Sequence, residues 1–263
     1  MRAGILAGLL CLSSAAGACS SDASGAGATP ADGGGEVLVF AASSMTEAFG
    51  EMGRRFEEAH PSATIRFVFG PSDALAAQIN NGAPADVFAS ASEAWMKAVA
   101  DQEPGVSGEA AFARNRLAII TPPDNPADIA SFEDLGEPGV KLVLAGEDVP
   151  AGAYAREALE GVGVAERAAA NVVSNEEDVK AVVQKIILGE ADAGIVYVTD
   201  VTTDVESSLR AVPIPRADNV IATYPIAVVA STEQGDVASS FVEYVMSPDG
   251  QEVLRSYGFL PPP

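Results

Sequence analysis

The sequence predicts an α/β protein in which mainly parallel sheets are flanked by helices and arranged in two lobes. Apolar runs with strand character alternate with segments of helical periodicity from residue 37 to the C-terminus, as in parallel α/β folds. The chain has 263 residues, and at about 100–200 residues per domain this length fits one long domain or two lobes. Long apolar segments at 116–121 and 221–230 are the candidates for two strands that cross between lobes.

The N-terminal residues 1–18 predict a secretory signal peptide. Met1-Arg2 precede an apolar run from Ile5 to Leu12, which is followed by small residues. This run is too short to span a bilayer as a helix, which needs about 20 apolar residues. The chain is therefore expected to be exported to the periplasm or to the outer face of the cell membrane.

Residues 19–35 are predicted to form a flexible tether that begins at a lipid anchor. Ala16-Gly17-Ala18-Cys19 resembles a lipoprotein cleavage region, in which Cys19 is acylated, although Ala16 stands where such signals usually have Leu. The segment after Cys19 contains only Ser, Asp, Ala, Gly, Thr and Pro, so it cannot build a core. Because Cys11 is removed with the signal, no internal disulfide is expected.

The composition is strongly acidic, with 15 Lys and Arg against 37 Asp and Glu and a formal net charge of -22. Nucleic acid is excluded as a partner, because such a surface repels it and the sequence has no basic stripe. A small anion is compatible with this charge. Dipoles in a cleft act at short range, whereas surface charge is screened over about 8 Å at physiological salt.

The first lobe is assigned to residues 36–121, and its first strand, at 37–40, leads into a serine at the start of a helix. Ser44 stands at this junction. The first amides of a helix have no intrahelical partner and lie at the positive end of its dipole, so they and Ser44 can hold an oxyanion without a cation. The alternative is a capping box, in which Ser44 and Glu47 bond each other's backbone.

The same arrangement recurs at Ser72. A strand at 63–69 is followed by Gly70-Pro71-Ser72 at the start of a helix, and capping is again the alternative role of the serine. In open α/β sheets, ligands collect at the carboxyl ends of strands. Two successive units of strand, serine and helix therefore favour a binding site.

The first lobe continues with a strand at 87–89, a helix capped by Ser92 and a polar loop at 101–108. Trp95 has helical spacing with its apolar neighbours, so it is expected to lie in the core.

The second lobe is assigned to residues 122–221, and residues 222–263 return to the first lobe. Strands are expected at 140–145, 171–174, 194–198 and 209–213, and helices at 151–159, 179–187, 237–246 and 248–256. The first amides of the helices at Ala151 and Val179 are free to bind a ligand. Tyr197 is either core filler or projects its hydroxyl from a strand end.

Six segments carry a resemblance to a known family. They are Phe40-Ala41-Ala42-Ser43-Ser44-Met45-Thr46, Gly82-Ala83-Pro84-Ala85-Asp86-Val87-Phe88-Ala89-Ser90-Ala91, Val149-Pro150-Ala151-Gly152-Ala153-Tyr154-Ala155, Glu177-Asp178-Val179, Gly194-Ile195-Val196-Tyr197 and Ser256-Tyr257-Gly258-Phe259. In this order they resemble the molybdate-binding proteins of bacterial molybdate ABC importers, over essentially all of residues 36–260. The segment that begins at Val149 is the most specific.

The resemblance implies a periplasmic-binding-protein-like fold, in which two lobes hold an oxyanion through neutral hydrogen-bond donors. It implies that Ser44 and Ser72 donate hydroxyls and amides, Ala151 and Val179 donate backbone amides, and Tyr197 donates its phenolic hydroxyl. It further implies a monomer that is not an enzyme, captures molybdate or tungstate and delivers it to an ABC permease. No cofactor and no metal-cation ligand are expected.

Two residues depart from the family pattern, which commonly has Ser or Gly around the second serine. Pro71 removes one amide donor, and the carboxylate of Asp73 is unfavourable beside a dianion unless it points away. Asp73 is therefore expected either to tune affinity or to face solvent.

Two other functions stay open. A receptor for sulfate or another tetrahedral oxyanion would use the same neutral donors. A serine hydrolase would need a base beside Ser44 or Ser72. The only histidine, His60, lies at the end of the first helix, and a Ser-Lys pair stays open although no motif such as Gly-x-Ser-x-Gly supports it. An iron receptor is disfavoured because clustered ligands are lacking, and cysteine-based zinc chemistry is excluded by the cysteine count.

Overall fold

A computed structural model describes residues 34–263. The signal peptide predicted at 1–18, the lipid attachment predicted at Cys19 and most of the predicted tether lie outside the described residues, and they stay predictions.

Strands and helices alternate along most of the described chain. The strands are β1 (Gly35–Ala42), β2 (Ala63–Gly70), β3 (Val87–Ala89), β4 (Val106–Thr121), β5 (Leu142–Ala145), β6 (Val172–Glu176), β7 (Ala193–Tyr197), β8 (Arg210–Pro213) and β9 (Ile221–Val229). The helices are α1 (Thr46–Ala59), α2 (Ser72–Asn80), α3 (Glu93–Ala100), α4 (Pro150–Gly161), α5 (Ala165–Asn171), α6 (Val179–Ile187), α7 (Gly235–Met246) and α8 (Pro248–Ser256). Short 3₁₀ turns occupy Ser43–Met45, Glu133–Gly136 and Val198–Asp200.

The strands lie in the order β2-β1-β3-β9-β4-β7-β5-β6, and β8 pairs with β4. β1 pairs in parallel with β2 and β3, and β5 pairs in parallel with β6 and β7. We call the β1–β3 group with its helices the first lobe and the β5–β7 group with its helices the second lobe. The two long strands β4 and β9 join the groups through antiparallel pairings. The prediction of a two-lobed α/β fold with two crossing strands is confirmed, and parallel pairing is confined to the lobes.

The crossing between lobes takes place inside β4. Residues 106–116 of this strand pair with β9, whereas residues 117–121 pair with β7 and β8. The change of partner lies between Arg116 and Leu117, within the segment assigned to the first lobe. The lobe limits at 121 and 222 themselves stay predictions.

Two elements differ from the sequence-based expectation. β4 begins at Val106, in the segment predicted as a polar loop, and its register shifts between Ser107 and Ala110 and between Ala111 and Ala113 interrupt the alternation that marks a strand. α5 was not predicted, because it buries only Ala168 and so shows no apolar face.

An aromatic cluster anchors α1 on the sheet. The ring of Phe49 lies 5.6 Å from Phe112 and 6.2 Å from Phe241, and Phe56 lies 5.4 Å from Phe241, all edge to face. Because these rings are buried, they hold the start of α1 and the serine turn that precedes it. Within the described part of the chain, each helix is too short or too polar to cross a bilayer.

Candidate functional site

A small cavity lies where the carboxyl ends of β1, β2 and β7 meet the starts of α2, α4 and α6. Its volume is about 20 Å³. A cavity needs about 10–15 Å³ to hold one water, so this one is small. All five residues expected to bind an oxyanion line it, with their neighbours: Ala42, Ser43, Ser44, Gly70, Pro71, Ser72, Ala91, Val149, Pro150, Ala151, Asp178, Val179 and Tyr197.

Three helices begin at this cavity. Ser72, Ala151 and Val179 lie in the first turns of α2, α4 and α6. The N–H groups of a first turn have no acceptor within their own helix, and the helix dipole makes this end positive. Three positive helix ends therefore meet at one small space.

Tight packing fixes the start of α4. A Cβ atom at Gly152 would lie 2.0 Å from the carbonyl oxygen of Gly146 and 2.4 Å from that of Ala145. The helix therefore approaches the end of β5 at a distance that only glycine allows. This contact places the first turn of α4, with Ala151, at the cavity.

Ser44 does not form the capping box that its spacing from Glu47 indicated. Its Oγ lies 2.9 Å from the hydroxyl of Tyr224, and the carboxylate of Glu47 instead accepts from Lys180 Nζ at 2.8 Å. The capping interpretation is wrong because both side chains find partners distant in sequence, on β9 and α6.

Ser72 is fully buried and does not cap α2 with its side chain. Its Oγ accepts a hydrogen bond from the backbone N–H of Ala91 at 3.0 Å. Since the oxygen is held as an acceptor, its own hydrogen remains available to a ligand.

Tyr197 is 1 % exposed, and its hydroxyl has no hydrogen-bond partner among the described residues. Its ring packs edge to face on Tyr224 at 5.7 Å. Burial raises the pKa of Tyr197 well above its ordinary value, so the hydroxyl keeps its proton. A buried donor without a partner costs about 1–3 kcal/mol, which a ligand in the cavity would recover.

The cavity lining contains neither Lys nor Arg. Its one charged member is Asp178, whose Oδ2 accepts from Ser43 Oγ at 2.6 Å and whose Oδ1 accepts from the N–H of Ala181 at 2.9 Å. Both carboxylate oxygens therefore have donors of their own.

Asp73 lies beside the site but does not line the cavity. The expectation that it faces solvent is only partly met, because one carboxylate oxygen is buried and has no partner among the described residues. Burial raises the pKa of Asp73, while the N–H groups of Asp73 and Ala74 lower it.

Three contacts bridge the lobes around the cavity. Ser43 bonds Asp178, Glu47 bonds Lys180, and the indole N–H of Trp95 donates to the carbonyl oxygen of Asp148 at 2.8 Å. The two lobes are therefore joined by side-chain contacts beside the cavity.

The expectation that Trp95 lies in the core is wrong. It packs against the core but is only partly buried, because its N–H reaches the second lobe.

Sequence reasoning missed several residues that support the site. Asp200 accepts from the N–H of Tyr197 at 3.0 Å, and burial raises its pKa to about 7 while Lys180, at 3.8 Å, lowers it. Two further residues lie on the crossing strands. Tyr224 contacts Ser44 directly, and Asn115 contacts Tyr224. Their strands carry no local signal for such a role.

The geometry does not support hydrolysis. His60 stacks on Phe56 at a centroid distance of 4.2 Å and does not line the cavity, so neither serine has it as a base. Among the described residues, no group of three or more His, Cys, Asp or Glu is arranged to hold a metal ion.

Solved structures share this fold. The periplasmic molybdate-binding protein of Azotobacter vinelandii has a TM-score of 0.74 at 19% identity, covering 86% of this chain and 100% of that chain. The sulfate-binding protein SubI of Mycobacterium tuberculosis has a TM-score of 0.76 at 16% identity, covering 86% of each. At these identities the likeness concerns the two-lobed fold of periplasmic binding proteins alone.

Sequence relatives are closer. The molybdate-binding protein ModA of Mycobacterium tuberculosis is 38% identical over 226 residues, which cover 86% of this chain and 85% of the relative. ModA of Escherichia coli is 31% identical over 232 residues, which cover 86% of this chain and 89% of the relative. The resemblance to molybdate-binding proteins is confirmed. These relatives are binding proteins and not enzymes, as expected for this chain. A family model described as bacterial extracellular solute-binding protein matches residues 37–260, and this chain belongs to that family.

Proposed function

We propose that this protein binds molybdate or tungstate as an oxyanion in the cavity between its lobes. The observation that carries the proposal is a small cavity of neutral donors, in which the buried hydroxyl of Tyr197 has no partner among the described residues. The choice of ion is supported by the relatives named as molybdate-binding proteins.

Five residues are proposed to bind the oxyanion. Ser44 and Ser72 would donate hydroxyls and amides, Ala151 and Val179 backbone amides, and Tyr197 its phenolic hydroxyl. A hydrogen bond to a charged group contributes about 1.5–3 kcal/mol net. Several converging donors can therefore hold a dianion tightly without Lys or Arg, and no cofactor is needed.

Donor chemistry determines which anions fit. An oxyanion without protons can accept from every donor, whereas a protonated phosphate brings a hydrogen that finds no acceptor in such a site. Sulfate has the same charge and shape as molybdate and is the alternative ligand. Size is then the property that separates them, because sulfate is the smaller ion and would leave donors too far away.

The proposed transport role requires the two lobes to open and to close around the ion. We infer that the contacts that bridge the lobes break to admit an ion and form again around it. We infer that the monomeric protein, outside the cytoplasmic membrane and anchored through Cys19, presents its closed form to an ABC permease. Intact mass of membrane-extracted protein tests the anchor, since an unmodified Cys19 would contradict it.

The binding proposal is tested by calorimetric titration with molybdate, tungstate, sulfate and phosphate in parallel at neutral pH. Tight binding of the first two with little heat from sulfate is the expected result. A sulfate preference would keep the receptor and replace its ligand. If none of the four ions bound, the oxyanion proposal would be wrong.

A further inference from the structure

Asn115 lies on β4 behind the cavity and is fully buried. Its Oδ1 accepts from the backbone N–H of Arg116 at 2.9 Å, and its Nδ2 donates to Thr199 Oγ1 at 2.9 Å and to the hydroxyl of Tyr224 at 3.2 Å. Only the oxygen of an amide can accept from a backbone N–H, so the side chain cannot be flipped. The nitrogen must face Tyr224.

The fixed amide occupies one acceptor position of the Tyr224 hydroxyl. Tyr224 is fully buried, and burial raises its pKa far above the ordinary value, so the hydroxyl keeps its one hydrogen. The Tyr224 oxygen accepts from Asn115, and in its pair with Ser44 Oγ, at 2.9 Å, either hydroxyl can be the donor. With Tyr224 as the donor of this pair, Ser44 accepts, and its own hydrogen is left for the cavity that it lines.

We propose that Tyr224 is the donor to Ser44, and that Asn115 and Tyr224 are therefore positioning residues that hold Ser44 as a donor to the bound oxyanion and thereby select against protonated anions. This inference rests on the function proposed above. It adds that two residues outside the cavity, Asn115 and Tyr224, which we call the relay, set the direction of the hydrogen bond that Ser44 makes inside it.

The opposite arrangement shows why the relay affects selectivity. Without the hydroxyl of Tyr224, Ser44 can rotate and turn a lone pair toward the cavity. That lone pair would accept the hydrogen of hydrogenphosphate, which the native arrangement leaves without a partner. Molybdate would lose a donor by the same rotation.

The test compares affinities for molybdate and phosphate, measured by calorimetry at neutral pH, in the wild type and three variants. Tyr224→Phe keeps the ring that packs on Phe112 and Phe259 and removes only the hydroxyl. Asn115→Leu removes the donor that orients Tyr224. Thr199→Val is the matched control, because it removes the other hydrogen bond of the same amide without touching Tyr224.

We expect the ratio of molybdate to phosphate affinity to fall about tenfold in Tyr224→Phe and Asn115→Leu, as the loss of one hydrogen bond predicts. The ratio should be unchanged in Thr199→Val. Thermal unfolding of each variant confirms that the compared proteins are folded. If Asn115→Leu does not fold, Tyr224→Phe alone tests the inference.

Three results would overturn the inference. An unchanged ratio of molybdate to phosphate affinity in folded Tyr224→Phe would show that the relay does not act, while the proposed function would stand. An equal fall in Thr199→Val would show a general structural effect. If the wild type bound none of the four oxyanions, the proposed function would fail and this inference with it.

Discussion

Tyr197 offers the sharpest test of a single residue, because its buried hydroxyl bonds no described residue. In Tyr197→Phe we expect molybdate affinity to fall tenfold or more, since a hydrogen bond to a charged group contributes about 1.5–3 kcal/mol. Stability without ligand should be unchanged or slightly higher, because an unpaired polar group is removed. Calorimetry and thermal unfolding measure the two effects.

Tyr244→Phe is the matched control for Tyr197→Phe. Its hydroxyl is also buried without a partner among the described residues, but Tyr244 lies on α7 and does not line the cavity. The same change there should leave affinity as in the wild type. Equal affinity in Tyr197→Phe and the wild type would show that the phenol does not bind the ion.

The role of a single residue could be predicted from the sequence only where the residues next to it in the chain form a recognisable pattern. Ser72, Ala151 and Val179 stand at helix starts, and such positions can be read from strand and helix periodicity with the family resemblance. Tyr224 contacts Ser44 from 180 positions away and lies in an apolar strand. No local pattern marks it, because its role arises only when β9 crosses behind the serine turn.

At the scale of elements, the start of α4 depends on Gly152. Gly152→Ala would place a Cβ 2.0 Å from a carbonyl oxygen, so the helix start must move away from β5. We expect a loss of about 1–3 kcal/mol in the free energy of unfolding, typical of overpacking, and weaker molybdate binding as the amide of Ala151 moves. Denaturant unfolding and calorimetry measure both.

Gly161→Ala provides the control in the same helix. A Cβ at this position would meet nothing within 4 Å, and alanine in a helix is favoured over glycine by about 0.5–1 kcal/mol. This variant should be as stable as the wild type or more so, with unchanged binding. A Gly152→Ala protein that matched it would refute the proposed packing constraint.

Elements were predictable where one face is apolar and regular. α6, with its buried Val179, Val182, Val183 and Ile186, was assigned with the bounds that the structure shows. The first half of β4 was missed because bulges break its alternation of apolar and polar residues. The whole of α5 was missed because it buries a single residue. Their places are set by tertiary pairing rather than by local pattern.

At the scale of the whole molecule, Trp95 connects the lobes and offers a signal for closure. It is the only tryptophan of the chain, and its indole donates to Asp148, next to the segment that leads to α4. Its helical spacing indicated a core residue, because the sequence shows the face of α3 but not the second lobe that approaches it. Tryptophan emission should therefore change as ligand closes the lobes.

The ion pair between Glu47 and Lys180 tests whether bridging contacts set affinity. Glu47 reaches from α1 to α6 with both carboxylate oxygens within 2.9 Å of Lys180 Nζ, outside the cavity. Ion pairs of this exposure contribute about 0–1 kcal/mol to stability. If the pair forms only when the lobes close on a ligand, the whole of this free energy adds to the free energy of binding. Glu47→Gln should therefore weaken molybdate binding by about two- to fivefold, measured by titration of Trp95 emission.

The loss should come from opening of the lobes rather than from the cavity. The emission change at saturation should equal that of the wild type, because the closed form itself is unaltered, and the preference for molybdate over sulfate should also be kept. Glu166→Gln is the control. It removes the same charge from the first turn of α5, where Glu166 makes no ion pair with described residues. Equal weakening in both variants would attribute the effect to overall charge, and the bridge would then have no part in holding the ion.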